Sequence, residues 1–189
     1  MATFTKTAAL LALVLAAGSA FAAAKPTTQT ISTLGGKFTF TLPKAYAADT
    51  LPAGKAEDGT AEDGTADTQG TMYANQTTKS VVIVAETVRN DGVNIQDNDS
   101  KFLDGAVAGF VKDQSAALPD FKKLSEKKLT LKGLGLRQVD STATQGGGKT
   151  LNSTFLGGSG NQLLVIQAIS RADDTKGHAA LVKQITGGK

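Results

Sequence analysis

Gly146-Gly147-Gly148-Lys149-Thr150 ends like a phosphate-binding loop. Such a loop needs a glycine five places before Gly148, where Ala143 stands. It also needs a helix to follow, so that backbone N–H groups converge on phosphate. The residues after Thr150 alternate like a strand instead, so a hairpin turn is the plainer reading. His178 is the only histidine. Beside a Ser or Asp it could serve a hydrolase, but an exposed position on a helix surface is the favoured reading. Asp97-Asn98-Asp99, followed by Asp104, faintly suggests calcium. An EF-hand loop starting at Asp97 would need an oxygen ligand at Lys101, glycine at Phe102 and glutamate at Ala108. Helix capping explains these acids more simply. With one histidine and no cysteine, a zinc site would have to rest largely on carboxylates. No catalytic, cofactor-binding or metal-binding residues are therefore assigned, and no cofactor is expected.

The one basic stretch is Lys122, Lys123, Lys127, Lys128, Lys132 and Arg137. Along a strand, Lys128, Thr130 and Lys132 would face water while Leu129 and Leu131 face inward. Only Phe121 interleaves, so no base-stacking platform is supported and no nucleic-acid partner is expected. A contact for anionic envelope material is the functional alternative to a solvated face. Asn98-Asp99-Ser100 and Asn152-Ser153-Thr154 are glycosylation sequons that matter only in a eukaryotic host.

The elements that must position these residues begin with a leader. Lys6 precedes an apolar run from Ala8 to Ala17, and Ala20-Phe21-Ala22 supplies small residues before a cut. That is the layout of a secretory signal peptide over residues 1–22, too short to span a bilayer. It predicts export to the periplasm and a mature chain from about Ala23. Removal of residues 1–22 from the 189-residue chain leaves 167, the size of one domain. Removing Lys6 from the 20 basic residues leaves 19 against 17 acidic, a formal balance of +2. So neutral a chain carries no argument for nucleic acid or an anionic membrane. The absence of cysteine leaves burial to hold the fold, and leaves no residue to acylate. A soluble protein without a stable membrane anchor is expected.

Thr30–Leu34 and Lys37–Leu42 alternate around Gly35-Gly36 and predict a hairpin with a two-residue turn. Tyr46–Gln69 reads as loop. Within it Ala56-Glu57-Asp58-Gly59-Thr60 repeats as Ala61-Glu62-Asp63-Gly64-Thr65, an acidic Gly-rich segment near 56–67 without bulky apolar residues. Thr71–Asn75 and Ser80–Thr87 predict a second hairpin, with Val81–Val84 as a central strand. Asp97–Asp99 should cap a helix carrying Phe102, Leu103, Ala106, Val107, Phe110 and Val111 on one stripe, ended by Pro119. Lys122–Leu131, Leu134–Ala143, Thr150–Leu156 and Gln162–Ser170 predict four strands. Gly133, Gly146–Gly148 and Gly157–Gly160 separate them, a spacing that favours antiparallel hairpins. Asp173-Asp174 should cap a closing helix with Ala180, Leu181 and Ile185 on its apolar side. The expected fold class is α+β, an antiparallel β-sheet sandwiched between α-helices.

Read in order, Leu34–Pro43, the Lys79–Val84 strand, Leu129–Gly133, Asn161–Leu164 and Ala172–Asp174 resemble the DcrB family of bacterial envelope proteins. The resemblance covers most of residues 23–189 and implies one domain with a Mog1/PsbP-like fold of α/β/α layers. It also implies a non-enzymatic envelope factor, linked to envelope homeostasis or phage adsorption. Two departures stand out: family members are typically lipoproteins, and the Glu57–Thr65 repeat has no family counterpart.

The expectation is thus an exported, soluble periplasmic accessory or binding protein whose partner is an unidentified envelope protein or other envelope component. It would be a monomer or a strand-exchanged dimer. The alternatives are a periplasmic chaperone that binds apolar client segments along the Phe102–Val111 stripe, and a hydrolase using His178.

Overall fold

The computed structural model describes residues 28–54 and 65–188. The expected leader (1–22) and residues 56–64 of the acidic repeat lie outside the described residues. Among the described residues nine strands and two helices follow one another. They are β1 (Thr28–Thr33), β2 (Phe38–Pro43), β3 (Ala47–Gly54), β4 (Thr65–Asn75), β5 (Ser80–Arg89), α1 (Ser100–Ala117), β6 (Lys122–Leu131), β7 (Leu134–Gln145), β8 (Gly148–Ser159), β9 (Gln162–Arg171) and α2 (Thr175–Thr186). β1 and β2 form a two-stranded sheet. The other seven make one antiparallel sheet in the order β3-β4-β5-β9-β8-β7-β6.

Alternation along the central strands divides the core between the two sheet faces. Phe155 and Leu156 are neighbours on β8, and so point to opposite sides. Phe155, Leu136, Leu164, Ile166, Val82 and Val84 share one cluster with the β1–β2 hairpin (Ile31, Phe38, Phe40, Leu42) and with Leu181 and Ile185 of α2. Leu156 and Val139 share the other with Val107 of α1, against which Ala106, Phe110, Val111 and Val165 pack partly buried. One helix covers each face, and the hairpin lies beside α2. Full burial of each large apolar side chain stabilises by about 1.5–3 kcal/mol, so the better-filled cluster under α2 carries most of the packing energy.

Both helices start where the acids predict. Asp99 Oδ1 accepts from Phe102 N at 2.9 Å, and Asp174 Oδ1 accepts from Gly177 N at 2.9 Å, each satisfying a donor that the first turn leaves orphaned. α1 stops at Leu118, which is extended because it precedes Pro119. α2 stops at Gly187 in the left-handed conformation.

Three expectations need correction. The described part of the segment 46–69 is not loop: β3 and the start of β4 occupy it, paired from Ala47↔Ala74 to Gly54↔Thr68. These strands carry little bulky apolar surface and owe their order to ladder bonds reaching back through β4 to β5. The first hairpin closes through a single 3-10 turn, with Leu34–Lys37 between Thr33 and Phe38, not through two glycines alone. Gly157, Gly158 and Ser159 belong to β8, and only Gly160-Asn161 turns the chain. The two glycines leave room for neighbours. A Cβ at Gly157 would lie 2.6 Å from Leu136 Cδ2, and one at Gly158 2.8 Å from Phe102 Cε1.

Candidate functional site

His178 is not on the exposed side of its helix. It sits half-buried on the inner side of α2, with Nε2 3.0 Å from Ser153 Oγ of β8 and Nδ1 3.1 Å from Ser170 Oγ of β9. Ser153 Oγ donates to Asp140 Oδ1 of β7 at 2.7 Å. Gln138 Nε2 and Ser125 Oγ also donate to this carboxylate, each at 2.7 Å, and Lys127 Nζ lies 3.2 Å away. Burial works to raise the Asp140 carboxyl, but the hydrogen bonds from Gln138, Ser153, Ser125 and Lys127 outweigh it and hold the group below its ordinary range. Burial pushes His178 down, against the opposing pull of Asp140 and Asp174.

The proton count assigns roles within this network. A carboxylate only accepts, so the Ser153 hydroxyl proton points at Asp140. Ser153 Oγ must then accept from His178 Nε2–H, and the neutral ring accepts the Ser170 proton at Nδ1. In a catalytic triad the imidazole takes the serine proton and the acid orients the imidazole. Here the acid holds the serine proton itself. Ser153 and Ser170 are each 2% exposed. The constellation is geometrically close to a hydrolase site and chemically arranged as an internal tether between α2 and the sheet.

The calcium-like acids disperse to separate duties. Asp97 bonds Lys37 Nζ at 2.8 and 3.0 Å and accepts from Ser159 Oγ at 2.5 Å. Lys37, then Ser159, holds its carboxyl below the usual range. Asn98 Nδ2 donates to Gly133 O at 2.8 Å, Asp99 caps α1, and Asp104 pairs with the buried Arg137 at 2.7 Å. Among the described residues no three His, Asp or Glu side chains come together to hold a metal ion. The 95–99 segment is pinned by the Ile95↔Gly160 bridge and by Gly135 N donating to Asp97 O at 2.7 Å. It forms one wall of an open cleft of about 650 Å³ at the end of the sheet, bordered by Lys37, Gln96, Asp97, Asn98 and Gly160.

Gly146 and Gly147 both have positive φ, 58° and 82°, and close a two-residue turn between β7 and β8. Thr150 Oγ1 donates to Ala143 O at 3.0 Å, so no phosphate cradle forms. The lysines of β6 lie along an edge of the sheet. On the α1 stripe Leu103 and Val107 are buried, while Phe102 and Phe110 are only half-buried. Among the described residues no helix is long and apolar enough to cross a membrane. Sequence reasoning missed Asp140, Ser153 and Ser170. Their signal was a polar side chain at an inward position of a strand that otherwise reads as core.

No family model matches the sequence, and no curated protein matches it either. The fold does have solved counterparts. The chain is similar to cyanobacterial PsbP (CyanoP) of Synechocystis sp. PCC 6803, with a TM-score of 0.56 and 9% identity, over 90% of this chain and 96% of that one. The fold is PsbP-like. The chain is also similar to PA94, a protein of unknown function from Pseudomonas aeruginosa, at a TM-score of 0.45 and 14% identity, over 83% and 92% of the two chains. At that score the second likeness carries no argument.

Proposed function

We propose that this chain is an exported, soluble periplasmic accessory protein of DcrB-like type, which works by binding an envelope component and not by catalysis. The observation that carries the reading is the closed His178 network: its hydroxyls are sequestered, and the Ser153 proton is committed to Asp140 and not to the imidazole. The leader and the ordered resemblance supply the address and the type. The open cleft beside Gln96 supplies a contact surface pinned to rigid elements. The test is a photo-crosslinking amino acid at exposed Gln96 in intact cells, with a control at Lys122. Discrete periplasmic adducts from Gln96 and none from Lys122 are expected. Residence of the chain in the cytosol, or labelling of Ser153 by a fluorophosphonate, would end this reading. One observation favours a second reading, a chaperone for apolar segments: Phe102 and Phe110 remain half-buried. Adducts from a crosslinker at Phe110, with none from Gln96, would select it.

A further inference from the structure

Glu86 faces inward from β5 on the same side as Val82 and Val84 of the core cluster under α2. Its Oε1 accepts from Leu34 N at 2.5 Å. Among the described residues it meets no cation. Asp140, on the same face of the sheet, differs: Lys127 Nζ lies 3.2 Å from it. Leu34 presents its N–H from φ +52°, a conformation that L-residues rarely adopt, while its side chain is buried in the core. Beside Glu86 a pocket of about 290 Å³ opens between β1 and the β3–β5 face, lined by Ile31, Thr50, Leu51, Thr71 and Tyr73. Burial pushes the Tyr73 phenol up, partly offset by Thr71, so it stays protonated near neutral pH.

We propose that this pocket binds a primary ammonium group carried on an alkyl stem, with Glu86 as its counter-ion. A half-buried carboxylate with one hydrogen bond keeps acceptor capacity and charge that the described residues do not satisfy. An ammonium brings three donors, which the free oxygen of Glu86 and the hydroxyls of Thr50, Thr71 and Tyr73 can accept. Ile31 and Val84 offer apolar wall to the methylene stem. A guanidinium fits less well: its fork seeks both carboxylate oxygens, and Leu34 already holds one. The volume lies at the bottom of the roughly 300–1,000 Å³ range of drug-sized sites, which suits a small amine or a single side chain. The inference rests on the pocket alone and holds wherever the chain resides.

The test is an NMR titration of the full chain with 1-aminopentane, pentan-1-ol and N-acetyl-lysine-N-methylamide, repeated on Glu86→Gln and on Thr50→Phe, which sets a ring on the pocket face of β3, in register with Thr71 and Val84, without touching the Leu34 bond. Saturable shifts at Val84–Glu86 are expected with 1-aminopentane. Binding should weaken by about tenfold or more for pentan-1-ol and for Glu86→Gln, and Thr50→Phe should block it. Binding of the lysine amide as well assigns the site to a lysine side chain, and binding of 1-aminopentane alone assigns it to a free amine. No saturable shift with either amine overturns the proposal. So does equal binding by pentan-1-ol, or by folded Thr50→Phe.

Discussion

Burial of His178 between the Ser153 and Ser170 hydroxyls ties the docking of α2 to one protonation state of the ring. The charged groups that face it are Asp140 of β7, Lys127 of β6 beyond that carboxylate, and Asp174 at the start of its own helix. The unfolded chain takes up a proton at His178 near pH ~6.5, while burial holds the folded ring below that value. Between the two values the unfolded state binds more protons, so the contribution is complete above about 6.5 and is lost as pH falls toward the folded pKa. Asp140 is depressed as well, and its contribution persists until the pH drops below the ordinary carboxyl range. Urea unfolding should therefore show stability declining below about pH 6.5 in the native chain. His178→Gln keeps a donor for Ser153 but cannot titrate. It should cost about 1 kcal/mol at pH 8 and remove most of that decline. An unchanged slope in His178→Gln would assign the decline to another group. The inward position of this residue was legible in the sequence: 178, 181 and 185 fall at i, i+3 and i+7, the spacing of one helical face with Leu181 and Ile185. Ala180, assigned to that face by its apolar character, is exposed. Its side chain is too small for composition to stand in for phase.

At the scale of elements, β6 to β9 were readable because short alternating runs are separated by glycine turns, and the boundary Lys122–Leu131 matches residue for residue. The caps of both helices were readable because a carboxylate before an apolar stripe has one economical use. β3 and the first half of β4 were not readable. Ala47–Leu51 and Thr65–Gly70 lack the apolar alternation that marks a strand, and pairing with distant residues leaves no local signature. Gly157 and Gly158 misled in the opposite direction, because glycine marks both turns and close approaches. The close approach makes a prediction. A Cβ at position 158 would lie 2.8 Å from Phe102 Cε1 and 3.2 Å from both Gln162 O and Ile95 Cδ1. Gly158→Ala must displace the Phe102 ring of α1 and should cost about 1–3 kcal/mol in thermal unfolding. Gly148→Ala, with nothing within 4 Å, should stay within about 0.5 kcal/mol. Adding Phe102→Ala to Gly158→Ala should recover part of the loss, because the second substitution removes the atom struck by the first. Strict additivity of the two would show that the approach of α1 is not the cause.

For the molecule as a whole, hydrophobic patterning announced a layered α+β body, but it could not say that the β1–β2 hairpin shares a face with α2 while α1 takes the other. That division depends on which strands meet in register, and Phe155 and Leu156 look alike until the pairing is known. The open seven-stranded sheet also carries a whole-molecule liability: among the described residues no strand pairs beyond β3 or β6, so each outer strand offers N–H and C=O groups that another chain could pair. β6 answers with charge and irregularity. Lys122, Lys123, Lys127 and Lys128 are exposed along it, and the register slips between Lys123 and Ser125, where Leu124 is 54% exposed. Two copies that met edge to edge would bring these ammonium groups together and would have to match a bulge. The basic stretch is on this view an edge guard, and a ligand surface is not needed to explain it. Replacing Lys122, Lys123 and Lys128 by Thr keeps strand propensity and removes the repulsion, while Lys127 and its contact with Asp140 stay in place. Light scattering after gel filtration should then show mass rising with protein concentration, whereas the native chain keeps a constant mass over the same range. Salt provides an independent check: near 1 M the screening length falls to about 3 Å, so the native chain should move toward the behaviour of the variant if charge is what keeps copies apart. A variant whose mass stays constant, with a native chain indifferent to salt, would leave the bulge alone as the guard of this edge.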